Sequence, residues 1–475
     1  MSSFRAGVAR CDITPPIGIA HGNWSAQVHE RAEGVDLPLW CTALAATDGG
    51  EEVIIAEWDL LYPPDGEWLA DCRHRITELT GVPASHIRIS ASHTHAGLNL
   101  RQPWFEAGAE MIGPYVASLT DRLAGVCLAA HQAMRPARVA GGKGACKVNA
   151  NRRRPMPDAP PDGVVPGEHN RPLMAPNPDG FADHSVGVIR IDTLDGQPLA
   201  ILVNFAAHPT ILSWHNRLIS PDYPGTVRRT VESLTGATCL FLQGAAGNQD
   251  TIRDYGNRVE DARWIGRQIG LEAVRVAEFI ETQPTTTVID HLVKSSWTCG
   301  VVQRVPTGEP DGTVRCLSRT VVLPAWRHDP PTPEQVAEVE ALTQRLAALR
   351  AEGAPTETVR EANMQVRRAA LNLRVIERRS QTTEIPMEFQ AIRLGPTALI
   401  GLPVEPFAEI GAGVKHRSPF ATTFFSGYTN GVNLYLPTAP AYLEGGYEVW
   451  MAPFSPEVAG MVVEESVRLL EDICR

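Results

Sequence analysis

Ile87-Arg88-Ile89-Ser90-Ala91-Ser92-His93-Thr94-His95-Ala96-Gly97 reads as a strand that runs into two histidines and a glycine. Residues 87–91 alternate apolar and polar side chains, several of them branched, which suits a pleated surface. His93 and His95 are two positions apart, so on an extended backbone their imidazoles point to the same face. Paired imidazoles at the mouth of a strand are one way a metal site begins, and they also occur in ordinary loops. The two readings separate on whether further ligand residues stand at the ends of other strands.

Other strand ends do carry such residues. Ile201-Leu202-Val203-Asn204-Phe205 is a hydrophobic strand that delivers His208 after Ala206-Ala207. Cys239-Leu240-Phe241-Leu242-Gln243 enters Gly244-Ala245-Ala246-Gly247-Asn248-Gln249-Asp250. Small residues there let backbone amides approach a ligand, or simply pack tightly. Residues 397–402 lead to Pro403-Val404-Glu405-Pro406-Phe407, a carboxylate at a strand end, and Tyr435 and Tyr447-Glu448 follow. In an α/β protein the carboxyl ends of strands gather at one edge, where ligands bind. Two histidines and a carboxylate form a catalytic zinc set with a position open for water.

The 475 residues suffice for one large core or two packed lobes. Hydrophobic residues make up 43% and charged residues 20%, a soluble, enzyme-like balance. The net charge of −11 argues against nucleic acid or an anionic membrane as partner. No apolar run is long enough to span a bilayer, and the first residues show no secretory signal. The nine cysteines form no C-x-x-C pair, so a reduced, cytoplasmic protein is expected.

Around these strand ends the chain reads as alternating strands and helices. Residues 37–47 and 53–59 form a hairpin about Asp48-Gly49-Gly50, with Asp59 closing it either as a hydrogen-bond partner of the site or as a cap. Helices are expected over 67–79, 114–132, 226–234 and 256–279. His21-Gly22-Asn23-Trp24 carries groups that could line a pocket, with a plain surface turn as the better reading. Val148 to Pro155 is a concentrated basic patch in an acidic protein, a solvated loop or an anion holder. Residues 155–180, dense in Pro, Asp, Gly and Asn, are expected as a long loop or lid. Residues 286–325 are rich in strand formers. Thr332-Pro333-Glu334-Gln335 then starts a helix with a capping box, and a break at Gly353-Ala354-Pro355 makes residues 332–378 a helical hairpin. That arm could support a homo-oligomer or fold back on its own domain. Ser455-Pro456 starts a closing helix, with Ser455 as its cap.

With these pieces in view, the sequence resembles the N-terminal catalytic domain of the neutral (non-lysosomal) ceramidases and their bacterial relatives. The resemblance rests on Ala6-Gly7-Val8 with Asp12-Ile13-Thr14, Ser92-His93-Thr94-His95-Ala96-Gly97, Asn151-Arg152 and Asn204-Phe205-Ala206-Ala207-His208. It is carried further by Ser220-Pro221-Asp222, Gln243-Gly244-Ala245-Ala246-Gly247 and Pro403-Val404-Glu405-Pro406-Phe407, and it covers nearly the whole chain. It implies an α/β fold of mixed β-sheets covered by helices, a single ceramidase-like catalytic domain over 1–475 with 332–378 inserted. It implies one Zn2+ held by His93, His208, Glu405 and a tyrosine. Tyr435 is chosen because Tyr447-Glu448 follows it by the family's twelve-residue spacing. It also places His95 as the proton-handling histidine, and Arg152 and Tyr447 at the substrate carbonyl. The family's catalytic serine is matched, by counting along the glycine-rich loop, with Asp250, which here would orient or deprotonate the attacking water. The ceramidases' C-terminal immunoglobulin-like module has no counterpart in the sequence.

The expectation is therefore a zinc-dependent hydrolase that cleaves an amide or lactam C–N bond of a small polar substrate. An esterase or lactonase with the same site is the alternative, followed by a true ceramidase and by a non-catalytic, metal-stabilised binding protein.

Overall fold

The computed structural model of the chain describes residues 4–24, 26–27, 29–98, 100, 107–157 and 172–475. Two sheets lie face to face at its centre. The larger has eight strands in the order Thr238–Gln243, Pro198–Phe205, Ser185–Thr193, Arg135–Ala145, Arg5–Asp12, Trp40–Thr47, Glu52–Trp58 and Ile87–Ala91. The smaller has four, in the order Val314–Pro324, Glu384–Leu394, Thr397–Gly401 and Thr422–Ser426. Both end pairs of the larger sheet are parallel. Parallel neighbours need a crossover, which the helices Tyr223–Thr235 and Gly66–Thr80 supply.

The layering follows from the period of two along each strand. Leu202, Leu240 and Leu242 point into the space between the sheets, where they meet Ile392, Leu399 and Phe424. Their chain neighbours Ile201, Val203, Cys239 and Phe241 pack instead beneath the helices Tyr223–Thr235 and Val259–Phe279. In the other half of the large sheet, Ala43, Ile54 and Ile89 lie under the helices Gly66–Thr80 and Ile112–Gln132. The helices Ala408–Arg417 and Val458–Cys474 cover the outer face of the small sheet through Phe389 and Ile400. The architecture is mixed α/β: helices, sheet, sheet, helices. Strands buried on both faces read as continuous apolar runs, and 239–242 is one of them.

Several local expectations change. Ile87–Ala91 is buried along its whole length, so its alternation separates two buried faces and not core from solvent. Arg88 lies under Gly401 and Thr429, and its Nη2 donates to Thr429 Oγ1 at 3.3 Å. The segment after Gly427 seals this edge, with Asn430 N donating to Ile89 O (2.8 Å) and Ala91 N to Tyr428 O (3.1 Å). The basic patch is the strand Asn149–Arg154, paired with Gln249–Thr251 and with Leu173–Asn177. Leu173–Asn177 thus replaces part of the loop expected over 155–180, and 158–171 lies outside the described residues. Thr332 caps the helix Pro333–Ala351 through the capping box with Gln335, and the second arm, Thr356–Gln381, runs past 378. The closing helix starts at Val458 and not at Pro456, with Glu457 rather than Ser455 at its N-cap position and no side-chain capping bond, and the Ser455 hydroxyl donates to Pro324 O at 3.3 Å. Among the described residues no helix is long and apolar enough to cross a membrane.

Candidate metal and active site

The two edge strands of the large sheet approach each other. Gln243 Nε2, at the end of one, donates to Ser92 O beyond the end of the other (3.4 Å) and to Ala207 O (2.7 Å). Three strand ends therefore open into one place, as expected for the carboxyl edge of a parallel pairing. Glu405–Pro406 pairs in parallel with Tyr435–Leu436 and brings a carboxylate and a phenol to the same spot.

The extended-backbone reading of the two histidines does not hold. The strand stops at Ala91, and His93 has a φ of 70°, the left-handed region that non-glycine residues seldom occupy. A tight turn, rather than the pleat, sets the imidazole rings 5.0 Å apart and nearly perpendicular at 86°. The turn is held by His93 N donating to Leu60 O (3.1 Å) and by Ser92 Oγ donating to Asp59 Oδ1 (3.0 Å). Asp59 is itself fixed by Trp40 N (2.9 Å) and by the buried Arg228 (2.5 Å). Asp59 is thus a buried support beneath His93 and caps no helix.

His93 Nδ1 faces Leu61 O at 2.6 Å, and His208 Nδ1 faces Ala246 O at 2.7 Å. A carbonyl only accepts, so each ring carries its hydrogen on Nδ1 and turns the Nε2 lone pair inward, the tautomer that binds a metal. Glu405 Oε2 lies 3.2 Å from His208 Nε2 and 3.5 Å from His93 Nε2. Tyr435 Oη lies 3.4 Å from His208 Nε2, and His95 Nε2 lies 3.4 Å from His93 Nε2. Ligands held about 2.0–2.1 Å from a tetrahedral zinc stand roughly 3.3–3.4 Å from one another. The donor set fits such an ion in both chemistry and spacing. His93, His95 and His208 all have ring nitrogens within 4.8 Å of one another, so His95 competes for the same centre.

Charge in the site is governed by burial. Desolvation, followed by the close His93 imidazole, holds the His95 imidazole well below its ordinary pKa, and His208 is lowered chiefly by desolvation too. Burial pushes the Glu405 carboxyl up, but the adjoining His93 and His208 imidazoles together hold it well below the usual range. Burial and then the Glu405 charge drive the Tyr435 phenol well above its ordinary value, so it stays a neutral hydroxyl until a cation faces it.

Arg152 joins the remaining predicted residues. Its Nε donates to Glu448 Oε1 (2.8 Å), Nη1 to Asp250 Oδ1 (3.1 Å) and Nη2 to Tyr435 Oη (3.1 Å). Arg153 Nη1 takes the second oxygen of Glu448 at 2.6 Å, so neither arginine is a solvated surface charge. Asp250 Oδ2 accepts from Tyr255 Oη at 2.6 Å. Both Asp250 oxygens are thus engaged. Tyr447 stands against Tyr435 with ring centroids 5.6 Å apart. Every site residue expected from the sequence falls within this one network.

Several neighbours had no signal in the sequence. Tyr62 Oη donates to Glu405 Oε1 at 3.2 Å, and Tyr428 lies over His93 at 4.2 Å between centroids. His21-Gly22-Asn23-Trp24 is no surface turn. His21 is buried, bonded to His29 and to Ala96 O, and Trp24 lies 5.1 Å from the His95 ring. Trp214 and Tyr255 stack on each other at 6.0 Å, and each meets Trp24 edge-on at 5.8 Å. These three rings wall the site beside His95.

Over 480 aligned residues the chain is 21% identical to the curated neutral ceramidase of Pseudomonas aeruginosa, spanning 95% of this chain and 69% of that protein. The crystal structure of the Pseudomonas aeruginosa neutral ceramidase superposes with a TM-score of 0.66 at 18% identity, covering 99% of this chain and 75% of that one. The chain is thus similar to the neutral ceramidases over nearly its whole length, and shares their fold. A second solved structure, a ceramidase complexed with C2, matches the neutral ceramidase-like chain with the same TM-score, 0.66, at 17% identity. No family model matches it.

Proposed function

We propose that this neutral ceramidase-like chain is a metal-dependent hydrolase that cleaves the C–N bond of a compact polar amide. The observation that carries the reading is the convergence of His93 Nε2, His208 Nε2, Glu405 Oε2 and Tyr435 Oη, with both histidines pinned through Nδ1. A divalent ion, Zn2+ by its donors, would be held by these four residues and would lower the pKa of a bound water toward about 7 while polarising a carbonyl oxygen. The rest is the work of the chain. His95 is neutral and half-buried, its Nε2 facing the cluster, so it accepts the water's proton and returns it to the departing nitrogen. Arg152 orients Tyr435 and supplies positive charge beside the carbonyl oxygen. Asp250 positions Arg152 and Tyr255. Trp24, Trp214 and Tyr255, set beside the charges of Arg152 and Asp250, support a compact polar substrate over a pair of alkyl chains.

Metal content and turnover of the purified protein test this directly. Stoichiometric zinc, hydrolysis of short amides, and loss of both in His93→Ala are expected. Retained metal and full turnover in His93→Ala would remove the site. Faster cleavage of a long-chain N-acyl sphingosine than of any short amide would overturn the substrate class alone.

A further inference from the structure

Cys11 and Cys41 stand directly opposite one another on the antiparallel strands Arg5–Asp12 and Trp40–Thr47. Residues facing each other in such a ladder have Cα atoms roughly 4.5–5.5 Å apart and side chains on one face of the sheet. A disulfide joins Cα atoms roughly 4.4–6.8 Å apart, so this register suits one without backbone movement. The shared face is the one beneath the helix Ile112–Gln132, where both residues join the same apolar cluster. Both thiols are free, and they are hydrogen-bonded to each other. Their surroundings differ. Cys41 is wholly buried, whereas Cys11 is half-buried near the end of its strand, with its Sγ 3.7 Å from Arg122 O. The bond from Cys41 lowers the Cys11 thiol from its ordinary range, with burial opposing and the Arg122 charge assisting. The same bond and burial push Cys41 well above that range. The more exposed sulfur is thus also the readier thiolate. Cys72 and Cys127 share the cluster but lie on helices, and burial pushes both thiols up.

We propose that Cys11 and Cys41 are a redox-sensitive pair, which hydrogen peroxide closes into a disulfide across the two strands and a thiol reductant reopens. The Cys11 thiolate attacks one peroxide oxygen and the O–O bond breaks. This leaves a sulfenic acid on Cys11 and a hydroxide, which takes up the proton Cys11 had released. The Cys41 sulfur then attacks the Cys11 sulfur, and the displaced hydroxide leaves with the Cys41 proton as a second water. Two thiols and one peroxide give one disulfide and two waters, and the two electrons lost by sulfur reduce the peroxide. The bond ties off residues 12–40, the segment that carries His21 and Trp24 to the wall beside His95. Its far end also touches the support of His93, since Trp40 N donates to Asp59 and Cys41 pairs with Trp58.

The test is peptide mass spectrometry of Cys299→Ser/Cys474→Ser, which lacks the two exposed thiols, after hydrogen peroxide and alkylation of what stays free. A Cys11–Cys41 link that dithiothreitol removes is expected, with a melting temperature above that of the reduced protein because the closed loop restricts the unfolded chain. In Cys41→Ser the sulfenic acid has no partner, so dimedone is expected to label Cys11 at least tenfold more than Cys72 or Cys127. The unsubstituted protein gives the same peptide readout should the serine background misfold. Cys11 and Cys41 both remaining free under peroxide that fully oxidises Cys299 of the unsubstituted protein would overturn the proposal. A link from Cys11 to Cys72 or Cys127 would overturn it equally.

Discussion

At the residue scale, the site was readable where chemistry stands at a strand end. His93, His208 and Glu405 each follow a hydrophobic run and lie beside small or rigid neighbours, so the sequence exposes them even though their ring orientations come from turns. Arg152 was readable only through the resemblance, since a basic cluster by itself more often meets solvent. Tyr62, Trp24, Trp214 and Tyr255 carry no period or motif, and only the fold brings them to the site. Arg152 offers the sharpest residue-level test. Its fork spans three partners at once, and one ammonium cannot. Arg152→Lys keeps the charge, so Asp250 and Glu448 stay compensated and the fold should survive. Turnover should fall by about 100-fold, as a misplacement of about 1 Å commonly costs. Steady-state kinetics beside a thermal melt would check it, and a change below threefold would deny Arg152 a positioning role.

At the element scale, local rules carried most helices and strands, and tertiary contacts set the boundaries. The capping box at Thr332 forms as its spacing predicts, with Gln335 N bonded to Thr332 Oγ1 and Thr332 N to Gln335 Oε1. Ser455 does not cap because the helix begins only at Val458, which puts Glu457 at the N-cap position and leaves the Ser455 hydroxyl to donate to Pro324 O. Thr332→Ala should therefore cost about 1 kcal/mol locally, seen as roughly fivefold faster hydrogen exchange in the first turn of Pro333–Ala351. Turnover should be untouched, since the arm reaches the Tyr447–Met451 segment through Asn372 and Arg379 of its second helix and not through the first turn at Thr332. Unchanged exchange would show that the box contributes nothing to the arm.

At the scale of the whole molecule, the strand content was legible, but the division into an eight-stranded and a four-stranded sheet was not. Continuous apolar runs report burial on both faces without saying which face meets a helix and which meets a sheet. The same layering produces a pH response. Asp222 begins the helix Tyr223–Thr235, buried with its oxygens accepting from Tyr223 N (2.6 Å) and Leu212 N (2.8 Å). Burial pushes its carboxyl up to about 7. The folded state therefore holds this proton more tightly than the unfolded chain does. The stabilisation is complete below pH of about 4, declines as pH rises toward 7, and is lost above it. Melting temperatures from pH 4 to 8 should fall more steeply for the wild type than for Asp222→Asn, and parallel profiles would discard the assignment.

The parallel pairing of Glu405–Pro406 with Tyr435–Leu436 also has a consequence for biosynthesis. During synthesis His93 and His208 leave the ribosome long before Glu405 and Tyr435, so the nascent chain offers only part of the donor set. Strong affinity for a cation would arise only when the last quarter of the chain has docked. Ion uptake would then mark the end of folding rather than nucleate it, and a stalled or clipped polypeptide would compete poorly for the cell's metal.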